Sequence, residues 1–138
     1  MSKMRSDYAS GFTLIELVIV VAVLAILMML AVPNYRQYVL RVQRSEAINM
    51  LLQAAICQER VHARSGDYDT SSCLINNTQD RYQMSYQPAN TRGQKFVAIA
   101  QPLGAQKADR CGSLLLDQSG NRKIGATGAS ATQCWNGR

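Results

Sequence analysis

Gly11-Phe12-Thr13-Leu14-Ile15-Glu16-Leu17 opens an apolar run that continues without one polar side chain over residues 17–32 and meets Pro33. As a helix, such a segment spans roughly 30 Å at about 1.5 Å per residue, the thickness of a bilayer core. A conventional secretory signal has a shorter apolar core followed by a small-residue cleavage site. Lys3 and Arg5 precede the run, so residues 1–11 are expected to stay cytoplasmic while the rest crosses. Glu16 is the anomaly. A charge inside a spanning segment costs about 2.5–3.5 kcal/mol near the middle and less near the ends. Glu16 lies near the cytoplasmic end, where it is either a tolerated interfacial glutamate or a group with a functional partner.

Outward from this run, Pro33 removes a backbone donor and crowds the preceding turn, which predicts a kink or local melting. Helical pattern then resumes. Ile48, Leu51, Leu52, Ala55 and Ile56 recur at helical spacing and predict one apolar face, with Arg41, Arg44, Gln53 and Arg60 on others. Ser65-Gly66 is a C-terminal stop, so one helix broken only at Pro33 is expected from Phe12 to about Arg64. Residues 67–79 are polar and turn-rich, a connecting loop. Residues 81–87, 95–101 and 113–117 read as strands, and Ser119-Gly120-Asn121 as a turn into a short strand at 122–124. Residues 125–133 are small and polar and read as a loop. Strands following a helix through short loops predict an α+β roll: a long helix on a small antiparallel sheet of about four strands.

The chain of 138 residues holds one domain's worth of sequence, and outside the apolar run its core must be small. The net charge is +6, from 15 Lys and Arg against 9 Asp and Glu. That excess suits anionic partners, but the basic residues are scattered singly, as on a solvated surface.

The N-terminal motif resembles the class III signal sequence of type IV pilins and pseudopilins. The resemblance implies a leader, residues 1–11, removed by a membrane prepilin peptidase between Gly11 and Phe12, with N-methylation of the new terminal Phe12. It implies that Glu16 pairs with the terminal amine of a neighbouring subunit and that Pro33 bends the helix. Residues 12–33 then form the membrane and filament-core helix, and 34–138 the periplasmic domain. Low dielectric makes such an intersubunit charge pair strong and each lone charge costly, so the pair selects axial register. The segment from Cys111-Gly112-Ser113 through Asp117-Gln118-Ser119-Gly120, with the closing Cys134-Trp135, is similar to the end of PilE-type minor pilins of gamma-proteobacteria. Pseudopilins of type II secretion share the N-terminal motif but usually not this ending.

Cys57, Cys73, Cys111 and Cys134 lie beyond the span, in a compartment that permits disulfides. Four cysteines allow three pairings. The favoured set joins Cys57 with Cys73, tying the helix end to the following loop, and Cys111 with Cys134, stapling the C-terminal loop to the sheet as in the pilin family. Cysteine spacing and the single His62 do not suit a zinc site. Asp67 and Asp69 lack the ligand series of a calcium loop. His62 has no nucleophilic partner, and Tyr82 and Tyr86 suit sheet packing better than a base-stacking platform. No cofactor, metal or catalytic residue is implied.

The reading is a structural subunit of a type IV pilus, a minor pilin that helps initiate or tip assembly. By family implication it takes part in twitching, attachment or DNA uptake. Its implied partners are the prepilin peptidase, other major and minor pilins and the inner-membrane assembly platform. It resides in the inner membrane before assembly and in the extracellular filament afterwards. Two alternatives stand beside it. A pseudopilin of type II secretion would be separated by loss of exoprotein secretion in a deletion strain. A DNA-binding pilin would use Lys107, Arg110, Arg122, Lys123 and Arg138.

Overall fold

The computed structural model describes residues 12–73, 81–88 and 93–137. Helix α1 runs over Leu14–Ser65. Thr13 starts it: its side-chain Oγ1 accepts the backbone N–H of Glu16 at 3.3 Å, satisfying one of the donors that a helix start leaves unpaired. Gly66 ends it in the left-handed conformation, φ 79°, with its N–H on the His62 carbonyl at 2.8 Å. Pro33 lies inside α1. It cannot donate to the carbonyl four residues back, and the next carbonyl along, that of Leu30, receives the Asn34 side-chain amide at 3.0 Å.

The chain divides into two compact units at Arg36/Gln37. In the first, every described side chain is exposed, including the whole apolar run. This stretch of α1 is long and apolar enough to cross a membrane.

The second unit is built on an antiparallel meander in the order β1-β2-β3-β4. Its strands are β1 Tyr82–Pro88, β2 Phe96–Pro102, β3 Leu114–Asp117 and β4 Arg122–Ile124. Ser85 faces Ile99, which faces Leu115, which faces Lys123. A short 3-10 turn, Gly104–Ala108, joins β2 to β3, and a five-residue helix α2, Ala131–Trp135, follows β4. Alternation along the strands sends Tyr82, Met84, Phe96, Ala98, Ala100, Leu114 and Leu116 inward, where they meet Ala47, Ile48, Leu51 and Ala54 of α1 and Trp135 of α2. Ala98 and Ala100 sit wholly buried on β2, small enough to let a helix lie close to the sheet. Disulfides join Cys57 to Cys73 and Cys111 to Cys134.

Two expectations need correction. The buried stripe of α1 runs through Arg44, Ala47, Ile48, Leu51, Ala54 and Gln58, so Arg44 is on the core face and not on another. Leu52 and Ala55 pack at its rim, and Ile56 is 52% exposed. The stripe follows small alanines and two polar residues that find partners inside, so a count of large apolar side chains alone turns it away from Arg44, Ala47 and Ala54. The loop expected over residues 125–133 ends early, because α2 begins at Ala131 and carries Cys134 and Trp135 into the interior. The 3-10 turn was not anticipated either.

The packing predicts a clear contrast. Leu51→Ala should destabilise the folded second unit by about 2–5 kcal/mol, whereas Ile56→Ala should change it by about 0.5 kcal/mol or less. Urea unfolding of both variants measures this, and equal losses would show that the helix presents the other face.

Candidate functional site

Two regions carry the residues singled out above. At the helix start, Phe12 is 87% exposed and precedes the Thr13 cap, and Glu16 occupies the third helical position with its side chain exposed. A Thr at the cap with Glu three residues on is the sequence of a capping box, the local signal that marks this helix start. Gly11 lies outside the described residues, as do the leader and Arg138.

The second region is built around one buried ion pair. Arg44, on the core face of α1, reaches across 65 positions of sequence to Asp109, with Nη1 and Oδ1 2.6 Å apart. Their side chains are 2% and 3% exposed. Asp109 is further satisfied by three donors. Its Oδ1 accepts the Cys111 N–H at 3.1 Å, and its Oδ2 accepts the Gln106 amide at 3.1 Å and the Tyr82 hydroxyl at 3.4 Å. The Gln106 amide also donates to the Leu40 carbonyl at 3.0 Å and to the Tyr82 hydroxyl at 2.9 Å, tying the 3-10 turn to α1 and β1. A carboxylate so fully paired does not leave an uncompensated buried charge.

This pair decides the surface above it. Lys107 lies in the last turn of the 3-10 segment and Arg110 follows Asp109, and both are exposed. The acidic residue between them is turned inward, so the corner shows two cations to solvent. It stands at the end of the sheet where β2 leaves and β3 begins, the same end as Ile124. Arg122 and Lys123 are exposed on β4, but neighbours in a strand point to opposite faces. Arg122 lies 5.4 Å from the Trp135 ring, and Trp135 Nε1 donates to the Lys123 carbonyl at 3.2 Å. The charge of Lys123 bears on Asp117. Burial pushes that carboxyl up, yet the Asn121 side chain, the backbone N–H groups of Asn121 and Ser119, and Lys123 hold it below its usual range. Lys107 and Arg110 thus come from the β2–β3 connection, and Arg122 and Lys123 from opposite faces of β4.

The other candidates have local roles. Asp69 is occupied by its own turn. Its Oδ1 accepts the Ser71 hydroxyl at 2.6 Å and N–H at 2.9 Å, and its Oδ2 accepts the Ser72 hydroxyl at 2.5 Å, which lowers its pKa to about 2. His62 stacks on Tyr68 with ring centroids 4.4 Å apart. Tyr86 meets Phe96 edge-on at 6.1 Å, and Tyr82 is a core residue. Among the described residues no cluster of three His, Cys, Asp or Glu could hold a metal ion.

Comparison with known proteins agrees with this architecture. The family profile described as type IV minor pilin ComP, DNA uptake sequence receptor, matches residues 33–115, and the prokaryotic N-terminal methylation motif matches residues 7–32. A fimbrial protein of Moraxella nonliquefaciens is 30% identical over 128 residues, which cover 78% of this chain and 83% of that protein. The fimbrial protein EcpC of Eikenella corrodens is 51% identical over 47 residues, 34% of this chain and 31% of EcpC. A type IV pilin from Shewanella oneidensis superposes with a TM-score of 0.55 at 33% identity, over 66% of this chain and 97% of that one. The non-core minor pilin PilV of Neisseria meningitidis, at 21% identity and TM-score 0.51 over 69% and 95% of the two chains, shares the fold.

A long helix laid on a four-stranded antiparallel sheet, with an N-methylation motif at its start, is the architecture of a pilus subunit. The chain belongs to the type IV minor pilin family. Membership carries a structural role, membrane anchoring through the apolar helix, processing by a prepilin peptidase, and other pilins as partners in the fibre.

The buried network has a signature in alkali. Burial, opposed by the Gln106 hydrogen bond, pushes the Tyr82 hydroxyl up to about 12. Its folded pKa exceeds the ordinary value of 10.0, so its contribution to stability is complete below that pH and is lost as pH rises through about 12. Tyr68 and Tyr86 are also pushed up by burial, so phenolate absorbance should show a late ionisation whose amplitude Tyr82→Phe reduces; Tyr82 ionising with the exposed tyrosines would mean that the network is open.

Proposed function

We propose that this chain is a minor pilin that enters a type IV pilus and presents DNA-binding cations on its globular unit. The prepilin peptidase cuts between Gly11 and Phe12, Phe12 is N-methylated, and Glu16 neutralises the terminal amine of an adjacent subunit. The subunit waits in the inner membrane with its globular unit in the periplasm. The assembly platform then moves the apolar helix from lipid into a bundle of like helices, and the globular unit reaches the cell exterior on the filament. Pro33 bends the helix between its membrane and globular halves. The exposed apolar run, capped by Thr13 beside Glu16, supports this course.

One observation carries the DNA reading: Arg44 draws the Asp109 carboxylate inward, leaving Lys107 and Arg110 exposed with no acid between them. The matched family is described as a DNA uptake sequence receptor, and its match includes both residues while Arg122 and Lys123 lie beyond it. Two cations placed singly on a corner suit phosphate contact, the term that sets affinity and its salt dependence.

Two outcomes are expected. Fluorescence anisotropy at low salt should show duplex DNA binding by the chain in detergent. The pair Lys107→Gln with Arg110→Gln should weaken it several-fold and reduce the salt slope by about 2, roughly one per lost phosphate contact. Unchanged binding, or none at low salt, would exclude this corner. Separately, Glu16→Ala should still insert and be processed but fail to enter filaments, as read by immunoblots of membrane and sheared-pilus fractions. Normal incorporation of the mutant as sole copy would remove the charge-pair account.

A further inference from the structure

Thr13 fixes where α1 begins through two separate acceptors. Its backbone carbonyl takes the Leu17 N–H at 3.2 Å, a regular helical bond, and its side-chain Oγ1 takes the Glu16 N–H at 3.3 Å. A helix pairs each N–H with the carbonyl four residues back. Were α1 to run one residue further upstream, the Glu16 N–H would pair with the Phe12 carbonyl. One residue beyond that, the Ile15 N–H would pair with the Gly11 carbonyl. The Thr13 hydroxyl holds the Glu16 donor instead, and α1 starts at Leu14 with Phe12 outside it and exposed. The Glu16 side chain, the other half of a capping box, is exposed as well. Independently, the methylation motif matches residues 7–32, so it spans this helix start and the bond before Phe12. Beyond Glu16 the helix is apolar through Val32. In apolar surroundings an unpaired N–H is costly, so a helix end that loses its cap draws in the next carbonyl upstream.

We propose that Thr13 is a positioning residue for leader removal: by holding the Glu16 N–H it stops α1 short of the Gly11–Phe12 bond and keeps helical pairing off the carbonyl that must react. The inference rests on the cut proposed above between those two residues. In that cut, water adds its hydroxyl to the Gly11 carbonyl carbon and the carbon–nitrogen bond breaks. The water proton goes to the Phe12 nitrogen, which leaves as the new terminal amine. A Gly11 carbonyl bonded to the Ile15 N–H would be held along the helix axis, and the peptidase would have to unwind a turn before it could be attacked. Thr13 touches neither reacting atom. It acts through the Glu16 N–H and the backbone of Phe12, so any residue whose side chain supplies a capping oxygen can take its place.

The full-length precursor in detergent, mixed with purified prepilin peptidase, tests this, with the fraction that begins at Phe12 followed by intact mass. Thr13→Val keeps the shape of the side chain and loses the acceptor, and its cleavage should slow several-fold. Thr13→Ser and Thr13→Asn keep an acceptor and should be cut at close to the wild-type rate, although asparagine does not resemble threonine in shape. A second measurement reads the backbone of the uncut chain by NMR. The Phe12 carbon shifts should move toward helical values in Thr13→Val and stay where they are in Thr13→Ser and Thr13→Asn. Cleavage of Thr13→Val at the wild-type rate would overturn the proposal. So would a Thr13→Asn chain as slow as Thr13→Val, which would mean that the peptidase reads the threonine side chain itself. Unmoved Phe12 shifts in a slowly cut Thr13→Val chain would overturn it too. A wild-type precursor cut at another bond, or not at all, would instead defeat the processing reading, and Thr13 would have no cut to position.

Discussion

One helix has to satisfy two surroundings, and the rest of the molecule follows from that. The first part of α1 has every side chain exposed, from Phe12 through the apolar run, with no protein of its own to cover it. The later part of the same helix buries Ala47, Ile48, Leu51 and Ala54 against a sheet. Apolar area left in water costs about 25 cal/mol for each Å², so the first part needs lipid or other apolar helices. A carboxylate at its start is tolerable near an interface and costly deeper in. That combination ties the subunit to a membrane at one stage and to neighbouring subunits at the next.

The second part of α1 faces a different problem, because the sheet is small. Four strands, the shortest of three residues, cannot bury much against half a helix. The protein adds covalent closure through Cys57–Cys73 and Cys111–Cys134 and a polar centre through Arg44 and Asp109. A buried ion pair adds little net stability over a hydrophobic replacement, yet loss of one partner strands the other. Its effect here is directional: a helix residue meets a carboxylate from the β2–β3 connection, and that contact sets the 3-10 turn, the seat of Cys111 and the exposure of Lys107 and Arg110 together.

Much of the fold was legible in the sequence because its signals are local. Alternation of Tyr82, Met84 and Tyr86, the run Phe96-Val97-Ala98-Ile99, and the Ser119-Gly120-Asn121 turn place all four strands within a residue of their observed ends. Ser65-Gly66 marks the helix end for the same reason. What escaped depends on distant partners. Arg44 looks like a solvent-facing cation until Asp109, far along the chain, is placed beside it. The α1 stripe is carried partly by Ala47, Ala54 and Gln58, which weigh little in a count of large apolar residues. Helix α2 is short and gains its burial from Trp135 and the Cys134 bond, neither of which shows as periodicity. The scattered cations gave no sign of grouping, since the inward turn of Asp109 between Lys107 and Arg110 depends on Arg44, far along the chain.

The central claim is that this chain is processed and then built into a pilus. Mass spectrometry of filaments sheared from cells tests it most directly. The account predicts the chain in the filament fraction as a species that begins at Phe12 and carries one added methyl group at its amino terminus. Finding it only in membranes with residues 1–11 still attached, or absent from sheared filaments of piliated cells, would contradict the account.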